Sequence, residues 1–278
     1  MKTIISLSQS QISEFLRCPQ LWNLHTAQNW GKPEQDERYY LDEGTIVHAF
    51  LEHYYRDSTP LGNIPSKFTG EVKEIWRDFD VTDKYKERPA HLTKDFLFER
   101  IKLYVMGKMM RGDWRARENG VEVGFSTVIY EDDQFVFVIE GRIDLITTDN
   151  CIVDHKTQSR WANLYMRKVQ FVTYAMATGL SHVIANYIML TKEVNAQTFR
   201  TDLVSFSKAE LEYWKNYLIE WVFWKIARWE IWQNHGACGG TYDSWPCMFE
   251  KVCWEQNEEM RARILRHNFV KIEEHRSW

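Results

Sequence analysis

The chain has no long apolar run. No stretch approaches the roughly 20 residues that a helical membrane span requires. The most apolar helical segment, Tyr217 to Ile231, is interrupted by Glu220, Lys225, Arg228 and Glu230. No secretory signal is visible, because the short apolar stretch Thr3 to Leu7 gives way at once to Ser and Gln. Basic charge is not in excess either. Lys and Arg number 35 against 39 Asp and Glu, a net charge of -4, so no global positive field draws the protein to nucleic acid. Any nucleic-acid groove has to be local. A GxxxxGK[ST] phosphate loop is missing, which argues against an ATP-driven motor in this chain. No Gly-, Ser- or Pro-rich linker and no internal repeat divides the 278 residues. The expectation is a single domain in a reducing, cytoplasmic setting, where five cysteines point to a metal centre more than to disulfides.

What is present is ordinary globular composition, with 44% hydrophobic and 27% charged residues. Ser8-Gln9-Ser10-Gln11 reads as a capping box opening a short helix that stops at Cys18-Pro19. Residues 31–38 and 57–70 read as loops. Leu41 to Arg56, Glu71 to Asp80 and Lys94 to Met110 carry helical periodicity. From Gly120 the period becomes alternating, and Val121 to Tyr130, Gln134 to Thr147 and Cys151 to Thr157 read as a three-stranded meander. Trp161 to Thr178 reads as a helix. His182 to Leu190 and Thr198 to Phe206 read as strands, Lys208 to Gln233 as one long helix, and Glu258 to Arg276 as helical at first. This predicts an α/β or α+β fold with a central mixed sheet flanked by helices. A mainly helical part covers 1–118, a sheet core 119–206, and a long helix with a Cys-bearing segment 207–278.

The segment EGRIDLITTDNCIVDHK, residues 140–156, carries the chemistry. Side chains alternate along a strand, so Asp154 and Lys156 share one face. Asp144 closes the preceding strand, and the two carboxylates suit one hard cation. Such a cation lowers the pKa of a bound water from ~15.7 toward ~7 and polarises a phosphate. Lys156 is placed to orient that water or to offset charge developing on phosphorus. His48 lies in GTIVH, with Gly44 one turn earlier, where a glycine costs the helix roughly 1 kcal/mol and so marks a close approach of another element. Gln170 and Tyr174 are four apart on a helix and face the same way. Glu122 opens the strand before the hairpin, in reach of Lys156 or the metal. Trp214, Trp221, Trp224, Trp229 and Trp232 fall mostly at helical spacing and are expected in the core. Arg111, Arg115 and Arg117, with Trp114 among them, are candidates for DNA contact or a solvated turn.

The ordered motifs SxSQIxxFxxCP, GxxxH, GRID, DHKT and QxxxY resemble the RecB-like branch of the PD-(D/E)XK nuclease superfamily, over residues 8 to 253. The resemblance implies a restriction-endonuclease-like core and a DNA nuclease using Mg or Mn. It implies metal ligation by His48, Asp144, Asp154 and the main-chain carbonyl of His155, with Lys156 catalytic and Gln170 and Tyr174 contacting substrate. One cysteine before the core, Cys18, and three after it, Cys238, Cys247 and Cys253, resemble the iron–sulfur subgroup found in CRISPR-adaptation, AddB-type and phage exonucleases. Four thiolates there imply a structural [4Fe–4S] cluster, with zinc the competing occupant. The segment GGTYDSWP lengthens the loop between Cys238 and Cys247. The implied activity is exonucleolytic, on single-stranded DNA or DNA ends, in the cytoplasm of a prokaryotic or archaeal cell or a phage-infected host. A non-catalytic DNA- or partner-binding protein of the same fold, and a DNA-trimming subunit of a recombination or CRISPR complex, are the other readings.

Overall fold

A computed structural model describes residues 2–32, 39–81, 88–111, 114–158, 168–195, 198–238 and 247–272. Strand β1, Thr3–Ser8, leads into helix α1, Gln9–Arg17. The Ser8 hydroxyl accepts from the Gln11 N–H, and the Gln11 side chain accepts from the Ser8 N–H, so the capping box forms as the spacing predicts. Helix α2, Pro19–Trp22, begins at the proline that ends α1, and is followed by a π-turn. Strand β2 is Trp30–Gly31. Helices α3, Tyr39–Asp57, α4, Gly70–Asp78, and α5, Lys94–Arg111, form one helical layer.

Strands β3, Ala116–Glu131, β4, Phe135–Thr147, and β5, Ile152–Gln158, make the predicted meander. Helix α6 is described over Lys168–Thr178, and the start expected at Trp161 lies outside the described residues. Strands β6, His182–Met189, and β7, Phe199–Ser205, pair antiparallel. Helices α7, Lys208–Leu218, and α8, Trp224–Ala227, are joined by a π-turn. The helix expected to run to Gln233 therefore stops at Ala227, where Trp229 takes a positive φ of 55° and turns the chain away. Helices α9, Glu250–Trp254, and α10, Glu258–Asn268, precede β8, Val270–Lys271, which pairs with β2.

The main sheet runs β1-β4-β5-β6-β7, with β3 on the other side of β4. One face is covered by α3, α4 and α5, whose Ile46, Val47, Phe50, Leu97 and Ile101 pack with Ile188. The other is covered by α6, through Phe171, Val172 and Ala175, and by α1 with the α7–α8 segment. The deepest stack is Phe137 of β4 on Phe223, with ring centroids 5.1 Å apart and planes 21° from parallel. Phe137 is fully buried and also meets Trp224 edge-on. Trp214 and Trp224 do pack against these clusters, but Trp221, Trp229 and Trp232 are 54%, 61% and 44% exposed. Helical spacing alone did not distinguish the two sets, because the π-turn shifts the buried stripe partway along. Among the described residues no helix is long and apolar enough to cross a membrane.

Two measurements test this packing. Phe137→Ala should cost about 3–5 kcal/mol in urea unfolding, as expected for a fully buried aromatic replaced by alanine. Glu43, on the buried side of α3, has Oε2 buried with no hydrogen-bond partner among the described residues, and burial raises its pKa from 4.5 to about 8. Its raised folded-state pKa sets the sign. Across pH ~4.5–8 the unfolded chain releases a proton that the folded chain keeps, so stability falls by about 1.4 kcal/mol per pH unit from this group. Glu43→Gln should remove that slope. Its melting temperature should exceed wild type at pH 8.5 and approach it at pH 4.

Candidate active site

The site grows from a fork in the sheet. On one edge of β4, Phe135 to Glu140 pair with β1, while only Leu145 and Ile146 pair with β5. Between them β4 and β5 diverge. Asp144 fills the gap, and its Oδ2 accepts the main-chain N–H of His155 at 2.7 Å. A carboxylate here replaces a missing ladder bond, which explains why an acid is structurally tolerated at a half-buried strand position. Burial works against its charge, yet His48, Lys156 and His155 outweigh that and hold the Asp144 pKa below the usual carboxylate range.

Helix α3 brings His48 to the fork, with Nδ1 3.7 Å from Asp144 Oδ1. The close approach that Gly44 signalled is real, since a Cβ there would stand 3.3 Å from Thr157 Oγ1 on β5. Glu122 of β3 completes the group. Potential ligand atoms of His48, Glu122 and Asp144 all lie within 4.8 Å of one another. Glu122 reaches inward from a backbone with φ of +52°, a costly conformation for a non-glycine residue and one that collects at functional sites. Burial first, and then the Asp144 charge, raise its pKa to about 7, against the pull of Arg142, whose Nε is 2.8 Å from Glu122 Oε2. Two oxygens and an imidazole nitrogen at this spacing fit a divalent cation.

Asp154 and Lys156 occupy the same face of β5, as strand alternation predicts. Lys156 Nζ lies 2.9 Å from Asp154 Oδ1, which is fully buried. The same oxygen accepts from Gln170 Nε2 at 3.0 Å, and the Tyr174 hydroxyl is 3.5 Å away. Gln170 Nε2 also lies 2.7 Å from the Tyr174 hydroxyl. Burial, and then the Asp154 charge, raise the Tyr174 pKa well above that of a free tyrosine. Asp154 is thus tied to the α6 side, while Asp144 gathers with His48 and Glu122. Of the predicted ligand set, the structure brings His48 and Asp144 together, with Glu122 as their third neighbour, while the Asp154 carboxylate is turned to Lys156, Gln170 and Tyr174.

The His155 side chain, which the sequence reading passed over, turns to the opposite face from Asp154. It stacks on Tyr55 at 5.8 Å and 16°, and its Nδ1 lies 2.8 Å from Asn186 Nδ2. Burial lowers its pKa to about 3, so the ring is neutral.

Away from the fork, the two ends of the chain meet. Cys18 and Cys247 share an apolar cluster with Phe249, Val252 and Phe269, and Cys253 packs against it. The Cys247 N–H donates to the Cys238 carbonyl at 2.9 Å, and the Asn234 N–H approaches Cys18 Sγ at 3.4 Å. Burial raises the pKa of Cys238 and Cys247, and that of Cys253 to about 12, each thiol also opposing ionisation of its neighbours. The turn-rich segment between Cys238 and Cys247 lies outside the described residues, as does the Arg111 side chain of the basic cluster. Lys108 Nζ sits 3.4 Å above the Trp114 ring in that region.

No curated protein matches the sequence. Similar solved structures include a putative exonuclease from Eubacterium rectale, 11% identical with a TM-score of 0.46, covering 84% of this chain and 86% of that one. An alkaline exonuclease from Laribacter hongkongensis is 11% identical with a TM-score of 0.32, covering 68% of this chain and 95% of that one. The PD-(D/E)XK nuclease superfamily matches over residues 6–253. That span takes in the α3 histidine, the β4–β5 fork, the Gln170–Tyr174 pair and all four clustered cysteines, and the chain belongs to the PD-(D/E)XK nuclease superfamily.

Proposed function

We propose that the protein is a metal-dependent DNA exonuclease acting on single strands or DNA ends. The observation that carries the reading is the convergence of His48, Glu122 and Asp144 at the fork, with Lys156 held beside it. This donor set, and the strain accepted at Glu122, fit a hard divalent cation such as Mg or Mn. We assign its binding to His48, Asp144, Asp154 and the His155 carbonyl, joined by Glu122. When bound, such a cation polarises a phosphodiester and makes water a better nucleophile.

The remaining work falls to the chain. Lys156, its ammonium paired with Asp154, offsets negative charge as it develops on phosphorus. Gln170 and Tyr174 fix the Asp154 carboxylate from the α6 side and present an amide and a hydroxyl to a substrate phosphate or base. Arg142, exposed and paired with Glu122, offers a cationic contact beside the fork. It lines a mixed polar and apolar groove of about 560 Å³ with Ser8, Ser126, Glu140, Phe125 and the two glycines Gly124 and Gly141. Its charged lining groups, Arg142 and Glu140, offset each other, so among the described residues Arg142 is the groove's one cationic contact for a DNA phosphate.

The four cysteines we read as ligands of a structural [4Fe–4S] cluster closing one nuclease domain end to end. Zinc held by the same four thiolates is the alternative occupant. Buried neutral thiols ionise only when a cation offsets the charge, so occupancy and folding of this corner are coupled.

Digestion of end-labelled linear and circular single-stranded DNA with Mg or Mn tests the activity. Wild type should degrade the linear strand, and Lys156→Ala should lower the rate by about 10²–10⁴-fold. No cutting by folded, metal-replete wild type would move the reading to a binding role or to a subunit that needs partners. For the cysteines, protein purified without oxygen should be brown, with a broad visible absorption band that Cys247→Ser abolishes. A colourless preparation with stoichiometric zinc would replace the cluster with zinc and leave the nuclease reading in place.

A further inference from the structure

Strand β5 has two faces, and only one is used in the function proposed above. Asp154 and Lys156 look toward α6. His155 looks toward α3 and α5, and its ring is 2% exposed. Three neighbours fix that ring. Tyr55 stacks on it, Tyr104 meets it edge-on at 6.4 Å, and Asn186 lies at its Nδ1. Asn186 is itself held by the Tyr104 hydroxyl at 3.0 Å. With the Asn186 amino group donating to Nδ1, the ring proton sits on Nε2.

That Nε2 is buried and has no hydrogen-bond partner among the described residues. An open polar atom in the interior is costly, and a phenylalanine would stack on Tyr55 without that cost. The ring also lines the small pocket bounded by His48, Glu52, Glu122 and Asp144, and stands 6.5 Å from the His48 ring. The pocket is rich in carboxylates, and a neutral N–H donor adds hydrogen bonding there without a positive charge to repel a cation.

Resting on the metal-site reading, we propose that the His155 side chain is a positioning residue of that site, its Nε2–H donating to an oxygen in the shell of the bound cation. Such outer partners fix the orientation of inner ligands, and their loss typically weakens metal affinity by about 10–100-fold.

Mn2+ binding to the full chain without DNA, followed by the EPR signal of free Mn2+, tests this. Wild type, His155→Phe, His155→Gln and Asp144→Asn are compared beside their melting curves. The Phe variant keeps the ring stack and the main-chain carbonyl. It should bind Mn2+ about 10-fold more weakly at little change in melting temperature, and Gln should recover part of the loss. Unchanged affinity in the Phe variant, with affinity lost in Asp144→Asn, would overturn the role of His155 and spare the metal site. Wild type binding no better than Asp144→Asn would overturn both. If the Phe variant does not fold, Asn186→Leu carries the test: it releases the ring but retains it, so a smaller loss of affinity is expected, and none overturns the proposal.

Discussion

The hydrogen bond from the His155 N–H to the Asp144 carboxylate is the constraint on which the centre of this molecule depends. Where two antiparallel strands part, their backbone groups lose partners, and a buried orphan N–H is expensive. Asp144 satisfies one oxygen's worth of that need and leaves the other toward His48. The carboxylate is therefore both a structural plug and a negative charge at a defined place. A fork without it would leave His155 unsatisfied, and a closed ladder would leave no room for the charge.

The layers around the fork serve that arrangement. Helix α3 approaches closely at Gly44 and delivers His48 one turn later. Helix α6 lays Gln170 and Tyr174 across Asp154 from the other side. Strand β3, bonded to the far edge of β4, inserts Glu122 through a kinked backbone. Two of the three elements are helices packed on opposite faces of the sheet, so the site's geometry is fixed by the same apolar clusters that hold the fold.

Much of this was legible in the sequence because it depends on simple periods. Alternation placed Asp154 and Lys156 on one face, and four-residue spacing paired Gln170 with Tyr174. Three things were not legible. The positive φ of Glu122 is a property of how β3 bends over β4, and no local pattern announces it. Strand β1 is only six residues long, and its identity depends on a parallel partner more than a hundred residues away. The tryptophans of the long helix share one spacing, but the π-turn at Ile219–Phe223 rotates part of the helix, leaving Trp221 exposed while Trp224 packs. Positions set by neighbours distant in sequence escape a reading that moves along the chain.

The joining of the two ends has a consequence for the order in which the protein is made. Strand β2 pairs with β8, Trp30 opposite Lys271, and Cys18 packs with Cys247, Phe249 and Phe269. During synthesis from the N-terminus, the sheet through β7 has all its strands long before residues near 270 exist, so the nuclease core is free to form first and the seam last. Closing so long a loop carries an entropic cost that rises only slowly with length. The seam is then a latch added to a nearly finished domain, and an early stop in translation would leave Cys18 with only Leu21 and Leu24 of its apolar cluster.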